Sequence, residues 1–249
     1  MKQKIVVITG SAKGIGKSIA EKFIAKGAYV VLLDYDKEAG EATEKSMQES
    51  GGNALFIQTD VSNYHSLQAA RKTIYDKLGE IDILIVNAGI SYLHSLKDIS
   101  VEEWDRVIKI NLSGSFYTIK VFYEDFSKKS AIDEGKIIFI SSGSAITGTG
   151  GGAHYAASKA GQHGLMRNLV KEFGHNGVNV NAIAPRVIQT DMLAKLYPTA
   201  NSKEELIKKI PIGRIGNPED IANLAVFLAS SESSYIHGQI ILSDGGRTY

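Results

Sequence analysis

Short β-branched runs alternate with amphipathic stretches along nearly the whole chain. The apolar runs predict strands near 4–8, 28–33, 53–58, 82–86, 136–140, 178–183 and 239–242. Between them, helical spacing such as Ile15, Ile19 and Phe23 predicts helices near 15–26, 37–50, 64–78, 101–127, 153–174 and 218–230. Ser100-Val101-Glu102-Glu103 reads as a capping box opening the fourth helix, and Asn217-Pro218 as a cap with a first-turn proline on the last. Strand–helix alternation of this kind calls for a parallel sheet with helices on both faces and right-handed crossovers. No linker, repeat or low-complexity tract marks a boundary, so residues 1–249 are expected to form one domain. The stretch 191–211 interrupts the alternation and carries its own capping box at Ser202-Lys203-Glu204-Glu205.

The first strand runs into Thr9-Gly10-Ser11-Ala12-Lys13-Gly14-Ile15-Gly16 and then into a helix. Strand, glycine turn and helix in that order make an anion site. Glycines let a pyrophosphate approach the backbone, and the helix start presents free N–H groups. The second strand ends in Asp34, 18 residues after Gly16. A carboxylate at that offset accepts hydrogen bonds from the ribose 2′- and 3′-hydroxyls of an adenine dinucleotide and repels a 2′-phosphate. NAD is therefore expected over NADP, although Lys13, a cation in the glycine loop, argues mildly the other way.

The acid–base candidates lie in ISSGSAITGTGGGAHYAASKAG. Tyr155 and Lys159 are four apart in a helical stretch, so their Cβ atoms share one face about 6 Å apart. An ammonium that close is expected to pull the phenol below its usual value of about 10 and fit it for proton exchange with an alcohol. Ser142 follows a strand-like run and can hold the same substrate oxygen, whereas Ser141 is expected to be structural. His154 should point about 100° away from Tyr155 around the helix and is also read as structural or lid-contacting. The Gly148–Gly152 cluster reads as a connection above the site, since no strand leads into it.

Composition removes several alternatives. At 249 residues and 26.9 kDa the chain suits one α/β domain, and 43% apolar residues is ordinary. A net charge of +1 without basic or acidic blocks gives no reason to expect nucleic acid or membrane surfaces as partners. There is no cysteine, and the six histidines show no His-x3-His pairing, so no metal site is expected. No apolar run suits a signal peptide or membrane span, which with the missing cysteines fits a cytoplasmic protein.

From Lys4 to Gly246 the chain resembles the short-chain dehydrogenase/reductase family. The motifs are Thr9-Gly10-x3-Gly14-x-Gly16, Asp60-Val61, Asn87-Ala88-Gly89 and Asn111, then Ser142 thirteen residues before Tyr155, and Lys159. Asn181-Ala182-Ile183-Ala184-Pro185, Thr190-Asp191-Met192, Arg214 to Asp220 and Asp244-Gly245-Gly246 complete the pattern. The resemblance implies a Rossmann-type doubly wound sheet of seven parallel strands in the order 3-2-1-4-5-6-7, with 191–211 as a substrate lid. It implies a catalytic tetrad of Asn111, Ser142, Tyr155 and Lys159, with Tyr155 as general acid/base and Asn111 pinning a water that links Lys159 to solvent. The cofactor would be held by Gly10, Ser11, Lys13, Gly14, Ile15, Gly16, Asp34, Asp60, Val61, Asn87, Ala88, Gly89, Tyr155, Lys159, Pro185, Ile188 and Thr190.

Substrate candidates are Ser142, with Tyr92 and His94 in the loop after strand four, and Arg186. Arg186 is a departure, because the family usually has glycine after this proline. Its guanidinium would either bind an anionic substrate group or turn to solvent or a nearby acid such as Asp191. A smaller departure, Val86 where asparagine is common, carries no functional weight.

The activity implied is hydride transfer between NAD(H) and a secondary alcohol or ketone, a small polyol or hydroxy acid being favoured. The alternatives are an NADPH-dependent 3-oxoacyl-(acyl-carrier-protein) reductase and, more remotely, a dinucleotide-binding regulator without turnover. A homotetramer is the family expectation.

Overall fold

The computed structural model describes residues 1–130, 135–196 and 199–248, with the side chains of 192, 195, 196 and 200–202 outside that description. The strands are β1 (Ile5–Thr9), β2 (Tyr29–Asp34), β3 (Asn53–Gln58), β4 (Ile83–Val86), β5 (Lys136–Ile140), β6 (Asn179–Pro185) and β7 (Ile240–Ser243). They form one parallel sheet in the order β3-β2-β1-β4-β5-β6-β7, as expected. Each strand end falls within about two residues of its sequence-based position, ordinary scatter for element boundaries.

The helices are α1 (Gly14–Ala25), α2 (Lys37–Glu49), α3 (Tyr64–Leu78), α4 (Val101–Ile108), α5 (Gly114–Val121), α6 (Tyr123–Ser127), α7 (Ser144–Thr147), α8 (Gly152–Phe173), α9 (Asp191–Leu196), α10 (Ala200–Ile207) and α11 (Pro218–Leu228). Because strand side chains alternate between faces, the central strands bury both. Val7, Val31, Leu84, Ile137 and Val180 pack on one side with α3, α5 and α8. Val6, Val30, Ile83, Ile138 and Ile183 pack on the other with α1 and α11. This double burial is why the strands read as continuous apolar runs.

Two sequence expectations fail locally. The single helix expected over 101–127 is broken into α4, a π-turn at Lys109–Ser113, α5 and α6. The Asn111 carbonyl accepts from Ser115 Oγ at 2.6 Å and from Gln162 Nε2 of α8 at 3.0 Å. These donors compete with the helical ladder and widen the turn, a deviation common at functional sites. The capping box at Ser202 is also displaced. Helix α10 begins at Ala200 and Lys203 N–H closes on the Thr199 carbonyl at 3.2 Å. Threonine is itself a preferred cap residue, so the start moves back and Ser202 falls inside the first turn.

Candidate active site

Loops at the carboxyl ends of the strands enclose a cleft of about 920 Å³. One end is built by the β1–α1 turn, where Gly10 has φ +65°. A β-carbon on Gly16 would lie 2.1 Å from the Gly10 carbonyl oxygen and 2.6 Å from Asn87 Nδ2, so only glycine closes this turn. Asn87 braces it. Its Nδ2 donates to the Thr9 and Gly10 carbonyls at 3.0 and 2.7 Å, and its N–H bonds Thr9 Oγ1 at 3.0 Å.

Asp34, at the tip of β2, accepts the Ala12 N–H on Oδ2 at 2.9 Å and the Asp36 N–H on Oδ1 at 3.0 Å. Those bonds pin the carboxylate at the wall of the cleft. Lys13 also borders the cleft, but its Nζ is paired with Asp36 at 2.7 Å, and that hydrogen bond raises its pKa. Sequence reading did not single out Asp36. Its only signal was a second carboxylate two residues beyond Asp34.

Of the other expected cofactor residues, Gly14, Ile15, Asp60, Val61, Ala88, Gly89, Pro185, Ile188 and Thr190 line the cleft. Ser11 does not. It is fully buried, with Oγ directed at the Leu33 carbonyl at 3.4 Å, because it lies on the inner side of the tight turn.

At the other end, Ser142, Tyr155 and Lys159 come together on the cleft wall. Ser142 follows β5, and Tyr155 and Lys159 share one face of α8. Ser141 turns away, with Oγ 2.7 Å from His163 Nε2 in the interior. Lys159 is 3% exposed and donates to the Ile140 carbonyl at 2.8 Å, while its Nζ lies 5.9 Å from the centroid of the Tyr155 ring. Burial pushes the ammonium down to about 8. Burial also raises the Tyr155 phenol, a rise that its hydrogen bond with Ser142 only partly offsets. The expected depression of the phenol by Lys159 is therefore absent. The ammonium lies beyond the ring and is spent on a carbonyl, and desolvation dominates for both groups.

Asn111 is fully buried behind the wall. Its amide donates to the Ile90 carbonyl at 2.9 Å and to Ser158 Oγ at 3.0 Å, and its Oδ1 accepts the Ile90 N–H at 2.8 Å. Arg186 lines the cleft and donates to Thr149 Oγ1 at 2.6 Å and Thr248 Oγ1 at 3.1 Å. Burial resists ionisation of the neighbouring Asp244 carboxyl, but hydrogen bonds from Thr248 and Gly246, with a smaller contribution from the Arg186 charge, hold its pKa below the usual range. Next to it, Val187 has φ +57°, a left-handed conformation that branched residues rarely adopt and that clusters at functional sites. Tyr92 and His94 do not line the cleft. His94 turns outward to Glu103, 2.9 Å from its carboxylate, and stacks on Tyr92 at 6.2 Å. Ser91, Ser144, Thr149 and Arg247 line the cleft without having been singled out, since only the tertiary path of their loops brings them there.

The buried lysine carries a pH-dependent stability. Between pH of about 8 and 10.5 the unfolded chain keeps this proton and the folded chain releases it, so the residue's contribution rises with pH in that window. Below it, the desolvated ammonium carries its full penalty. At about 1.4 kcal/mol per unit, wild type should gain up to about 3 kcal/mol on Lys159→Met between pH 7 and 10.5. Urea unfolding of both at several pH values checks this, and parallel pH profiles would contradict it.

Comparison with known proteins places the chain. Residues 10–248 match the family model described as enoyl-(acyl carrier protein) reductase. The chain belongs to the short-chain dehydrogenase/reductase family. It is 38% identical over 246 residues to a 3-oxoacyl-(acyl-carrier-protein) reductase FabG of Chlamydia pneumoniae, covering 99% of this chain and 97% of that protein. It is 37% identical over 249 residues to a 3beta-hydroxysteroid dehydrogenase 1 of Eggerthella lenta, covering 100% and 95%. The crystal structure of levodione reductase superposes with a TM-score of 0.93 at 31% identity, covering 100% of this chain and 98% of that one. As a short-chain dehydrogenase/reductase, the protein is an NAD(P)-dependent oxidoreductase acting on CH–OH groups. No helix among its described residues is long and apolar enough to cross a membrane.

Proposed function

We propose that the protein transfers hydride between NAD(H) and a small secondary alcohol or ketone, with a hydroxy acid or polyol as substrate. The observation that carries the cofactor choice is the Asp34 carboxylate, fixed at the cleft wall by two backbone N–H groups, with Lys13 engaged by Asp36. Ribose hydroxyls are favoured there and a 2′-phosphate meets two carboxylates. The tight turn that only glycine at position 16 allows brings the start of α1 to the cleft, which suits a pyrophosphate.

The bound dinucleotide supplies or accepts the hydride, and the chain handles position and the proton. Ser142 holds the substrate oxygen and Tyr155 exchanges its proton. Lys159, at the cleft wall beside Tyr155, binds the nicotinamide ribose. Asn111 joins the loop at Ile90 to α8, and a water beside it links Lys159 to solvent. The polar substrate end, with Ser91, Ser144, Thr149, Arg186 and Arg247, supports an oxygen-rich or anionic substrate.

Under the same reading residues 1–249 form one domain with a lid at 191–211, located in the cytoplasm. It is a homotetramer, for which the exposed Val101, Trp104 and Phe116 of α4 and α5 offer apolar contact surface. No nucleic acid, membrane or metal partner enters it.

A second reading, an NADPH-dependent 3-oxoacyl-(acyl-carrier-protein) reductase, is favoured by the FabG relatives at 35–39% identity. Hydroxy acids, polyols and acyl ketones assayed against both cofactors separate the two. The highest kcat/KM with NADPH and an acyl-carrier thioester would favour the second, and dinucleotide binding without turnover would refute both. Arg186→Gly refines the substrate class. A charge-assisted contact is worth about 1.5–3 kcal/mol and 1.4 kcal/mol is tenfold, so KM for an anionic substrate should rise by about tenfold or more. Neutral alcohols of the same size should change little, and equal effects on both would remove the anion contact.

A further inference from the structure

Glu103 occupies the third position of the capping box that opens α4, yet only half of that box forms. Ser100 Oγ accepts the Glu103 N–H at 3.1 Å, while the Glu103 carboxylate reaches across to two imidazoles. Its Oε1 accepts from His154 Nε2 at 2.8 Å, and its Oε2 lies 2.9 Å from His94 Nδ1. His154 is fully buried, and its second nitrogen, Nδ1, accepts the backbone N–H of Tyr155 at 2.8 Å. An imidazole that accepts at one nitrogen and donates at the other is neutral and fixed in one tautomer.

The far side of Tyr155 is held in the same manner. Its carbonyl accepts from Ser158 Oγ at 2.8 Å, and Ser158 Oγ in turn accepts from Asn111 Nδ2 at 3.0 Å. Both polar backbone atoms of Tyr155 are thus engaged by side chains anchored outside α8. The arrangement repeats with a regular offset. Glu103 and Asn111 stand eight residues apart on α4 and its π-turn, and each grips the same two elements. Asn111 holds Ile90 and Ser158, and Glu103 holds His94 and His154, so that the partners are four residues apart both in the loop (Ile90 and His94) and on α8 (His154 and Ser158).

We propose that Glu103 and His154 are positioning residues for Tyr155, forming the outer half of a two-point clamp whose inner half is Asn111 and Ser158. The helix needs such a device. It is entered through Gly150, Gly151 and Gly152, all at positive φ, and Gly151 supplies no side-chain cap. Local chain chemistry therefore leaves the entry angle loose, and the first-turn N–H groups lack helical acceptors. The carboxylate of Glu103 also stands near the positive end of the α8 dipole, where negative charge is stabilising. Burial resists its ionisation, but the hydrogen bonds from His154 and His94 hold its pKa below the usual range, so the anchor stays charged.

The inference rests on Tyr155 being the acid/base, so its test has one arm that needs no activity. In the kinetic arm, His154→Ala should lower kcat by about 10–100-fold while KM and cofactor Kd stay within about twofold, since a misplacement near 1 Å costs about that much. His154→Asn, whose amide oxygen can take the Nδ1 position and keep the Tyr155 N–H bonded, should recover a substantial part of kcat. In the other arm, hydrogen-exchange mass spectrometry of His154→Ala should show faster exchange for amides 152–158, with the sheet still protected. If His154→Ala does not fold, Glu103→Gln, which preserves volume and removes the charge, should show the same pattern at about tenfold in kcat. Unchanged kcat, a loss carried by KM, equal losses in His154→Ala and His154→Asn, or unchanged exchange would each overturn the clamp. A wild-type enzyme that oxidises no alcohol would instead defeat the functional reading, with the exchange arm still deciding the clamp.

Discussion

Tyr155→Phe is expected to lower turnover by about 10²–10⁴-fold with cofactor affinity largely retained. The substitution keeps the ring against Gly151, where an added β-carbon would stand 2.6 Å from Tyr155 Cδ1, and deletes only the hydroxyl. Burial raises the pKa of that hydroxyl, and hydrogen bonding with Ser142 only partly offsets the rise. A neutral phenol is the competent form for protonating a developing alkoxide, and a phenolate is the competent form for taking a proton from an alcohol. Oxidation rates should therefore rise with pH and reduction rates fall. Ser142 and Lys159 remain in the variant, so residual activity above solution chemistry should survive through orientation. Single-turnover hydride transfer followed at the nicotinamide absorbance decides the matter, and wild-type rates in the variant would remove Tyr155 from proton transfer.

Asp34→Ser is expected to move cofactor preference from NAD towards NADP by about 100-fold or more in the ratio of kcat/KM values. Two ribose hydroxyls lose a charged acceptor, each such hydrogen bond being worth about 1.5–3 kcal/mol, and the 2′-phosphate loses a repelling neighbour. Lys13, held by Asp36 at 2.7 Å, is then the cation nearest to hand for the phosphate. That pair is exposed on both sides, so it releases the lysine to a phosphate at small cost. Serine cannot accept both the Ala12 and Asp36 N–H groups as Asp34 does, so some loosening of the loop should appear as lower stability. Wild-type enzyme with the higher kcat/KM on NADP would end the argument.

How much of this was legible in the chain follows from the range over which each feature is determined. A strand buried on both faces declares itself as a β-branched run, which is why β3 and β5 fall on their expected residues. The Tyr155–Lys159 pairing follows from one helical turn and the glycine turn from one loop, and both stand where the spacing puts them. These are short-range facts of backbone geometry, available to a sequence without its fold.

What lay beyond the sequence depends on partners distant along the chain. The π-turn at Asn111 arises because Gln162, 51 residues away, takes its carbonyl. Lys13 is set aside by Asp36 across 23 residues, Glu103 leaves its capping box for His154 across 51, and Arg186 finds Thr248 across 62. The pKa of Lys159 depends on burial, and its ammonium turns to the Ile140 carbonyl at the end of β5, so its effect on Tyr155 could not be read from four-residue spacing. The sequence by itself determined the strands, the glycine cradle and which residue types stand close on one helix. Only the tertiary structure decided which charges are engaged, which backbone groups are contested and how Tyr155 is held, because those depend on desolvation and on hydrogen bonds between elements that packing brings together.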